Sequence, residues 1–267
     1  MEIIHLQVWC TLLKPTNYKP MKNNLLLKAG ILFFSTLGCI SYSQEKTSCN
    51  VLTDAEKQAG WTLLFDGKTT NGWHLYNEGN IKSAWSVQNG ELICDPNTEK
   101  VQRGDLVSDN QYENFDFTFE WKISEAGNSG VFINVQEAPE FPTAWTTGPE
   151  YQLLDNANMP KDYLQDGKHA AGCVYSLSPL LHEVQPKPSG QWNSSRIVQQ
   201  NGVITFWLNG VETGHEDMKT ERWKQLIAGS KLGNFPSFGK AVRGKIAFQD
   251  WAKGVSLRNI KIKEIQQ

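Results

Sequence analysis

Polar side chains set inside strand-like apolar sequence are the groups in this chain that could do chemistry, because a strand carrying carboxylates and amides must give them a face. Four such groups occur: Asn128-Ser129-Gly130, Glu150-Tyr151-Gln152-Leu153-Leu154-Asp155-Asn156, Gly172 to Tyr175, and Gln249-Asp250. On an extended chain Glu150 and Gln152 point one way while Tyr151, Leu153 and Asp155 point the other, unless the strand ends before Asp155. Spacing alone leaves two readings of each group. Glu150 with Gln152 is either a working pair or a solvated outer face, and Asp155-Asn156 is either functional or a turn that bonds its own backbone. There is no GxSxG, HExxH, P-loop or dinucleotide fingerprint, so serine-hydrolase, zincin, kinase and Rossmann chemistry have no support.

The elements that must position these groups read as β-structure. Phe115, Phe117, Phe119, Trp121 and Ile123 alternate with Asp116, Thr118, Glu120 and Lys122, which predicts a strand with one face on a core. Asn89-Gly90, Asn201-Gly202 and Asn209-Gly210 each predict a type I′ hairpin, since both residues of such a turn take positive φ. In the last segment Val255 and Leu257 lie in one phase and Ile260 and Ile262 in the other, so a bulge near Arg258 or Asn259 must reset the alternation. Thr53 to Gln58 suits one helical turn, and Glu221 to Ala228 a short helix. At least ten strands without βαβ alternation or a long repeat point to an all-β, two-sheet antiparallel jelly-roll sandwich with one short helix, with a propeller second. An outward polar sheet face, made concave by curvature, is where a site belongs.

Composition limits the partners. With 26 basic and 28 acidic residues interspersed, the net charge of -2 offers no extended positive field for nucleic-acid phosphates and no polybasic membrane patch. From Met21, Lys22 and Lys28 precede an apolar run through Leu37 that is too short to span a bilayer and reads as an export signal. Cleavage is expected after Ser43, with Gly38-Cys39 as an alternative lipoprotein-type site. Residues 1–20 do not resemble the start of a signal, so translation is expected to begin at Met21. This divides the chain into an export segment (1–43), a lead-in (44–57) and one domain (58–267), acting in the periplasm or outside the cell. Cleavage leaves Cys49, Cys94 and Cys173, an odd count with neither zinc-knuckle nor redox spacing; Cys94 and Cys173 read as buried small hydrophobes.

Ordered motifs carry a resemblance. Gly60-Trp61 to Phe65-Asp66-Gly67-Lys68, Gly72-Trp73, Trp85-Ser86-Val87, Asn128-Ser129-Gly130-Val131, Gly148-Pro149-Glu150 to Asn156, Trp192-Asn193, Trp207-Leu208-Asn209-Gly210 and Arg258-Asn259-Ile260 together resemble the 3-keto-disaccharide hydrolase family over roughly residues 58 to 265. The resemblance implies a concanavalin A-like jelly roll, export, and a carbohydrate substrate already oxidised at C3. It implies Asn128, Ser129, Glu150, Gln152 and Asp155 as site positions with Gln249 and Asp250 nearby, and Tyr151 and Tyr175 complete the expected substrate contacts. Two stretches depart from the family pattern: Met159-Pro160-Lys161-Asp162 replaces a His-Pro-Asp run, and Trp251-Ala252 follows Gln249-Asp250 where His-Gly is usual. With those imidazoles absent, His169 becomes the histidine candidate, against a plain loop position.

The implied chemistry suits carboxylates. A ketone at C3 acidifies the C2 hydrogen, so a base can remove it, the enolate can expel the C1 substituent, and water can add to the unsaturated sugar. On this scheme Glu150 is the base, Gln152 and Asn128 donate to the sugar, and Asp155 orients or binds metal; the sequence requires no cofactor and leaves room for a divalent cation. Two rivals remain. A conventional glycosidase needs a carboxylate pair, and the ExDxxE strand signature is missing. A non-catalytic carbohydrate-binding sandwich would stack sugars on Trp145, Trp192 or Tyr151.

Overall fold

Residues 49–266 are described by the computed structural model. The export segment, the Met21 start and the cleavage positions lie outside them. The strands are β1 (Trp61–Leu63), β2 (Trp73–Leu75), β3 (Trp85–Gln88), β4 (Glu91–Cys94), β5 (Leu106–Ser108), β6 (Phe115–Ile123), β7 (Asn128–Val135), β8 (Glu150–Leu154), β9 (Asn193–Gln200), β10 (Val203–Leu208), β11 (Val211–Asp217), β12 (Lys245–Phe248) and β13 (Val255–Glu264). They form two antiparallel sheets of a jelly-roll sandwich. One runs β11-β10-β9-β6-β13-β4-β3 with β1 added beside β13; the other runs β2-β5-β12-β7-β8. Helix α1 (Asp54–Gln58) is the expected turn and α2 (Glu221–Ala228) the expected helix, so the described residues hold two short helices rather than one.

Local sequence accounts for these elements. Asn89, Asn201 and Asn209 all take positive φ ahead of glycines that do the same, and each turn joins a paired hairpin. The expected break in β13 is a register shift between Arg258 and Lys261, with Asn259 at φ 51°. Asn50 holds that bulge: its amide N–H donates to Asn259 Oδ1 at 2.6 Å, and the Asn259 amide donates to Asn50 Oδ1 at 2.8 Å. Gly172 to Tyr175, read as strand-like, is instead a loop in which Val174 makes isolated bridges to Tyr151 and Ser178.

The core lies between the sheets. Phe115, Phe117, Phe119, Trp121 and Ile123 all face inward from β6, as their alternation predicts, and meet Tyr151 and Leu153 of β8 with Phe248 of β12. Tyr151 sits edge-on to Phe119 at 5.8 Å and to Phe206 at 5.2 Å. Its hydroxyl is within 2.7 Å of Ser195 Oγ, which also accepts from Trp121 Nε1 at 2.8 Å, and it donates to the Trp207 carbonyl at 3.0 Å. This polar link crosses the apolar layer and ties β8 to the opposite sheet. Cys94 and Cys173 are buried free thiols, and Cys49 is exposed and free.

Tyr151→Phe should therefore destabilise the fold by about 1–3 kcal/mol, because it removes a hydroxyl that bonds the buried Ser195 and the half-buried Trp207 carbonyl. Urea denaturation reads the change; an unaltered midpoint would mean that the link contributes nothing.

Candidate active site

The outward face of the five-stranded sheet carries the polar groups that the inward face excludes. In β7 and β8 the register sets Gly130 opposite Gln152 and Phe132 opposite Glu150, while β12 brings Ala247 beside Phe132. Just past β12, the Gln249 amide N–H donates to the Gly130 carbonyl at 2.9 Å, extending the ladder. Above this floor lies a cleft of about 1090 Å³. One wall is the segment from Met159 to Tyr175, and the other follows α2 with Leu232, Phe235 and Phe238. Trp145 closes against Phe235, ring centroids 4.6 Å apart.

Glu150 is the group on which the electrostatics turn. Its carboxyl lies deep in the cleft floor, only 7% exposed, and burial raises its pKa well above the usual carboxylate range, with the nearby charge of Asp105 adding to the rise. No hydrogen-bond donor counters that shift. Room for the carboxyl comes from Gly130, where a Cβ would stand 1.9 Å from Glu150 Oε1. Beside it, the amide oxygens of Gln152 and Gln249 are buried without a donor. Gln152 Nε2 donates to Asn128 Oδ1 at 3.3 Å, and both residues line the cleft. Two unpaired acceptors and a desolvated carboxyl make a floor that is satisfied by hydroxyl and C–H partners from a ligand.

The wall adds a second set. His169 Nδ1 lies 3.2 Å from Asp166 Oδ1, and its ring packs against Tyr163 at 4.8 Å and Tyr175 at 5.1 Å. Burial, with the Tyr163 hydroxyl adjacent, pushes the Tyr175 phenol well above its usual range, so it holds its proton and remains a donor. His169 is thus held by a carboxylate and two rings instead of standing free on a loop.

The structure gathers Asn128, Glu150, Gln152, His169, Tyr175 and Gln249 around one cleft. Four expected site residues are elsewhere. Tyr151 points into the core, being on the opposite face of β8 from Glu150. Ser129 also points inward and donates to the Gln249 carbonyl at 2.8 Å, so it secures that segment. Asp155 falls after the strand has ended; its Oδ2 accepts from the Ala126 amide at 2.9 Å and from Asn158 Nδ2 at 2.6 Å, the turn-forming role, and it does not line the cleft. Asp250 is buried on the far side, where it accepts from Arg103, the Gly104 amide at 3.1 Å and Cys94 Sγ at 3.2 Å. Of the stacking candidates, Trp145 lines the cleft, but Trp192 has its ring already covered by the Arg258 guanidinium at 4.0 Å. Among the described residues no cluster of three or more His, Cys, Asp or Glu is placed to hold a metal ion.

Sequence reasoning missed Asp105 and Gly130. Asp105 accepts from the Asp250 amide at 3.1 Å, yet burial still pushes its carboxyl up to about 7, and the Asp250 charge adds to this. Nothing in Gly104-Asp105-Leu106 marks it in the sequence, since its importance comes from strand order. Gly130 stood inside a quoted motif, but its reason, the carboxyl across the ladder, is tertiary.

The family described as 3-keto-alpha-glucoside-1,2-lyase-like domain matches residues 60–263. A curated protein of Bacteroides thetaiotaomicron named 3-keto-disaccharide hydrolase is 30% identical over 179 residues, which are 60% of this chain and 61% of that protein, so the chain spans under two thirds of that relative's length. A solved structure from Parabacteroides distasonis, described provisionally as a glycosyl hydrolase, is 35% identical and superposes with a TM-score of 0.75, covering 82% of this chain and 100% of the other. A second from the same organism, with the same provisional description, is 21% identical at a TM-score of 0.56, covering 77% and 99%, and shares the fold.

The raised carboxyl of Asp105 has a sign that can be measured. The folded protein keeps a proton there that the unfolded chain releases at its ordinary value of 3.8, so stability falls as pH rises from about 4 to 7. Asp105→Asn should remove that part of the decline and leave the variant more stable than wild type at pH 8. Thermal melts from pH 4 to 8 read it, and parallel curves for the two proteins would contradict the burial argument.

Proposed function

The chain belongs to the family of 3-keto-alpha-glucoside-1,2-lyase-like domains, and from that premise we propose that it cleaves the glycosidic bond of 3-keto-glycosides, including 3-keto-disaccharides, by elimination followed by hydration. The observation that carries the reading is Glu150, a desolvated carboxyl with no donor of its own, in one cleft with two residues whose amide oxygens also lack partners. A hydrogen next to a ketone is a weak acid, and a carboxylate whose pKa has been raised by burial is a stronger base toward it than an exposed one.

The Glu150 carboxylate takes the C2 proton, and the C–H electron pair forms the enolate with its charge on the C3 oxygen. Tyr175, whose phenol stays protonated, donates to that oxygen. Collapse of the enolate restores the ketone, forms the C1–C2 double bond and breaks the C1–O bond. The leaving oxygen takes a proton from His169, which Asp166 holds. Water then adds its hydroxyl to C1, Glu150, whose proton exchanges with solvent once the leaving group has departed, protonates C2, and His169 recovers its own proton from that water. Asn128 and Gln249 bond the remaining hydroxyls. Asp155, committed to its turn, has no part in the scheme. With Met21 to Ser43 read as an export signal, the reaction belongs outside the cytoplasm.

Glu150→Gln should lower turnover of a 3-keto-glucoside at least about a hundredfold, since general-base catalysis contributes typically 10²–10⁴-fold. Solvent deuterium should enter C2 of the product only with Glu150 present. Because the base must be ionised, kcat/KM should rise with pH through a limb lying well above the ordinary glutamate range. Near-normal cleavage by Glu150→Gln would remove Glu150 from the role.

Gly130→Ala tests the same carboxyl from the other side. The added methyl must displace Glu150, and a misplacement near 1 Å can cost about a hundredfold in rate. The backbone at 130 is ordinary strand, so the loss should come without a change of fold, as read by circular dichroism beside the kinetics. An active Gly130→Ala protein would show that the carboxyl need not sit where it does.

A further inference from the structure

Trp251 is the one aromatic side chain that stands exposed among the described residues, at 66%, and it does so on the rim of the cleft. An exposed indole on a loose loop would carry no meaning, but the residues on both sides of this one are pinned. The Gln249 amide donates to Gly130 at 2.9 Å, the Asp250 amide to Asp105 Oδ1 at 3.1 Å, and the Ala252 amide to the Asn128 carbonyl at 3.0 Å. The Asn128 amide returns a bond to Ala252 at 3.1 Å, and Asp250 is clamped by Arg103, Gly104 and Cys94. Gln249 and Trp251 both line the cleft, while the Asp250 side chain between them is buried. Two residues of chain span at most about 7 Å. The indole is therefore anchored within about one sugar ring of the Gln249 residue.

We infer that Trp251 is the stacking platform for the leaving-group sugar of a disaccharide substrate, one unit beyond the ring that Glu150, Gln152 and Gln249 hold. The assignment rests on the proposed cleavage of 3-keto-glycosides for its reaction, but its binding chemistry is independent of that reaction. The apolar C–H face of a pyranose covers an indole that water otherwise wets, and the rigid backbone means that little ordering is lost on contact. An aglycone as small as methyl does not reach the ring. Trp251 thus sets preference between substrates, not the rate of proton removal.

The test compares wild type with Trp251→Ala and Trp251→Phe on a 3-keto-disaccharide and on methyl 3-keto-glucoside. Trp251→Ala should lower the ratio of the two kcat/KM values roughly threefold to tenfold, the scale of one aromatic contact, mainly through KM for the disaccharide, and Trp251→Phe should restore most of it. Equal losses on both substrates would overturn the platform. Calorimetric titration with the unoxidised disaccharide, which does not react, separates this inference from the reaction. Weaker binding by Trp251→Ala supports the platform even if no 3-keto sugar is cleaved. Unchanged binding, or no binding to wild type, overturns it whatever the activity.

Discussion

A carboxyl group that loses its water and receives no donor in return resists ionisation, and a fold that keeps one in place must be held there by other interactions. Glu150 is such a group, and β8 holds it because the reverse face of the same strand is fixed. Tyr151 and Leu153 lie in the aromatic core, and the Tyr151 hydroxyl reaches across it to Ser195. A strand buried on both faces cannot slip by one residue without sending Glu150 into the core and Tyr151 into the cleft. The register of five residues thus determines both the packing of the sandwich and the position of the reactive group.

Around that strand, several residues act by supporting others. Gly130 contributes an absence of atoms, and the space is filled by the Glu150 carboxyl. Ser129 and Asp250 face away from the cleft, yet they hold the segment bearing Gln249 and Trp251, one through the Gln249 carbonyl and the other through Arg103 and Gly104. Asp105 accepts the Asp250 amide from the neighbouring strand while its charge keeps Glu150 hard to ionise. Polar residues that a sequence motif groups together therefore divide by strand face into those that meet a ligand and those that hold them.

The two walls differ in character. The one carrying His169 and Tyr175 offers protons, while the one after α2, with Trp145 leaning on Phe235, is apolar. Such a cleft suits a ring with polar edges and apolar faces, and the two unpaired acceptors on the floor favour a ligand that brings its own hydroxyls.

Much was legible in the residues because it depends on short range. Alternation from Phe115 to Ile123 requires one buried face, Asn-Gly pairs require positive φ, and the change of phase in β13 requires a bulge; each is local geometry that the backbone obeys wherever the segment lies. The common face of Glu150 and Gln152 follows from the same rule, and the ordered motifs carried the family. What remained undecided needed a partner distant in the chain. Asp155 had two readings until the Ala126 amide, from just before β7, joined Asn158 on its Oδ2, and Asp250 looked like a site residue until Arg103 and Cys94 closed around it. Asp105 gave no signal because it joins the site only when β5 comes to lie beside β12, about 140 residues later in the chain. Local sequence sets which side of a strand a residue faces; strand order, which is decided by packing the whole core, sets what it meets there.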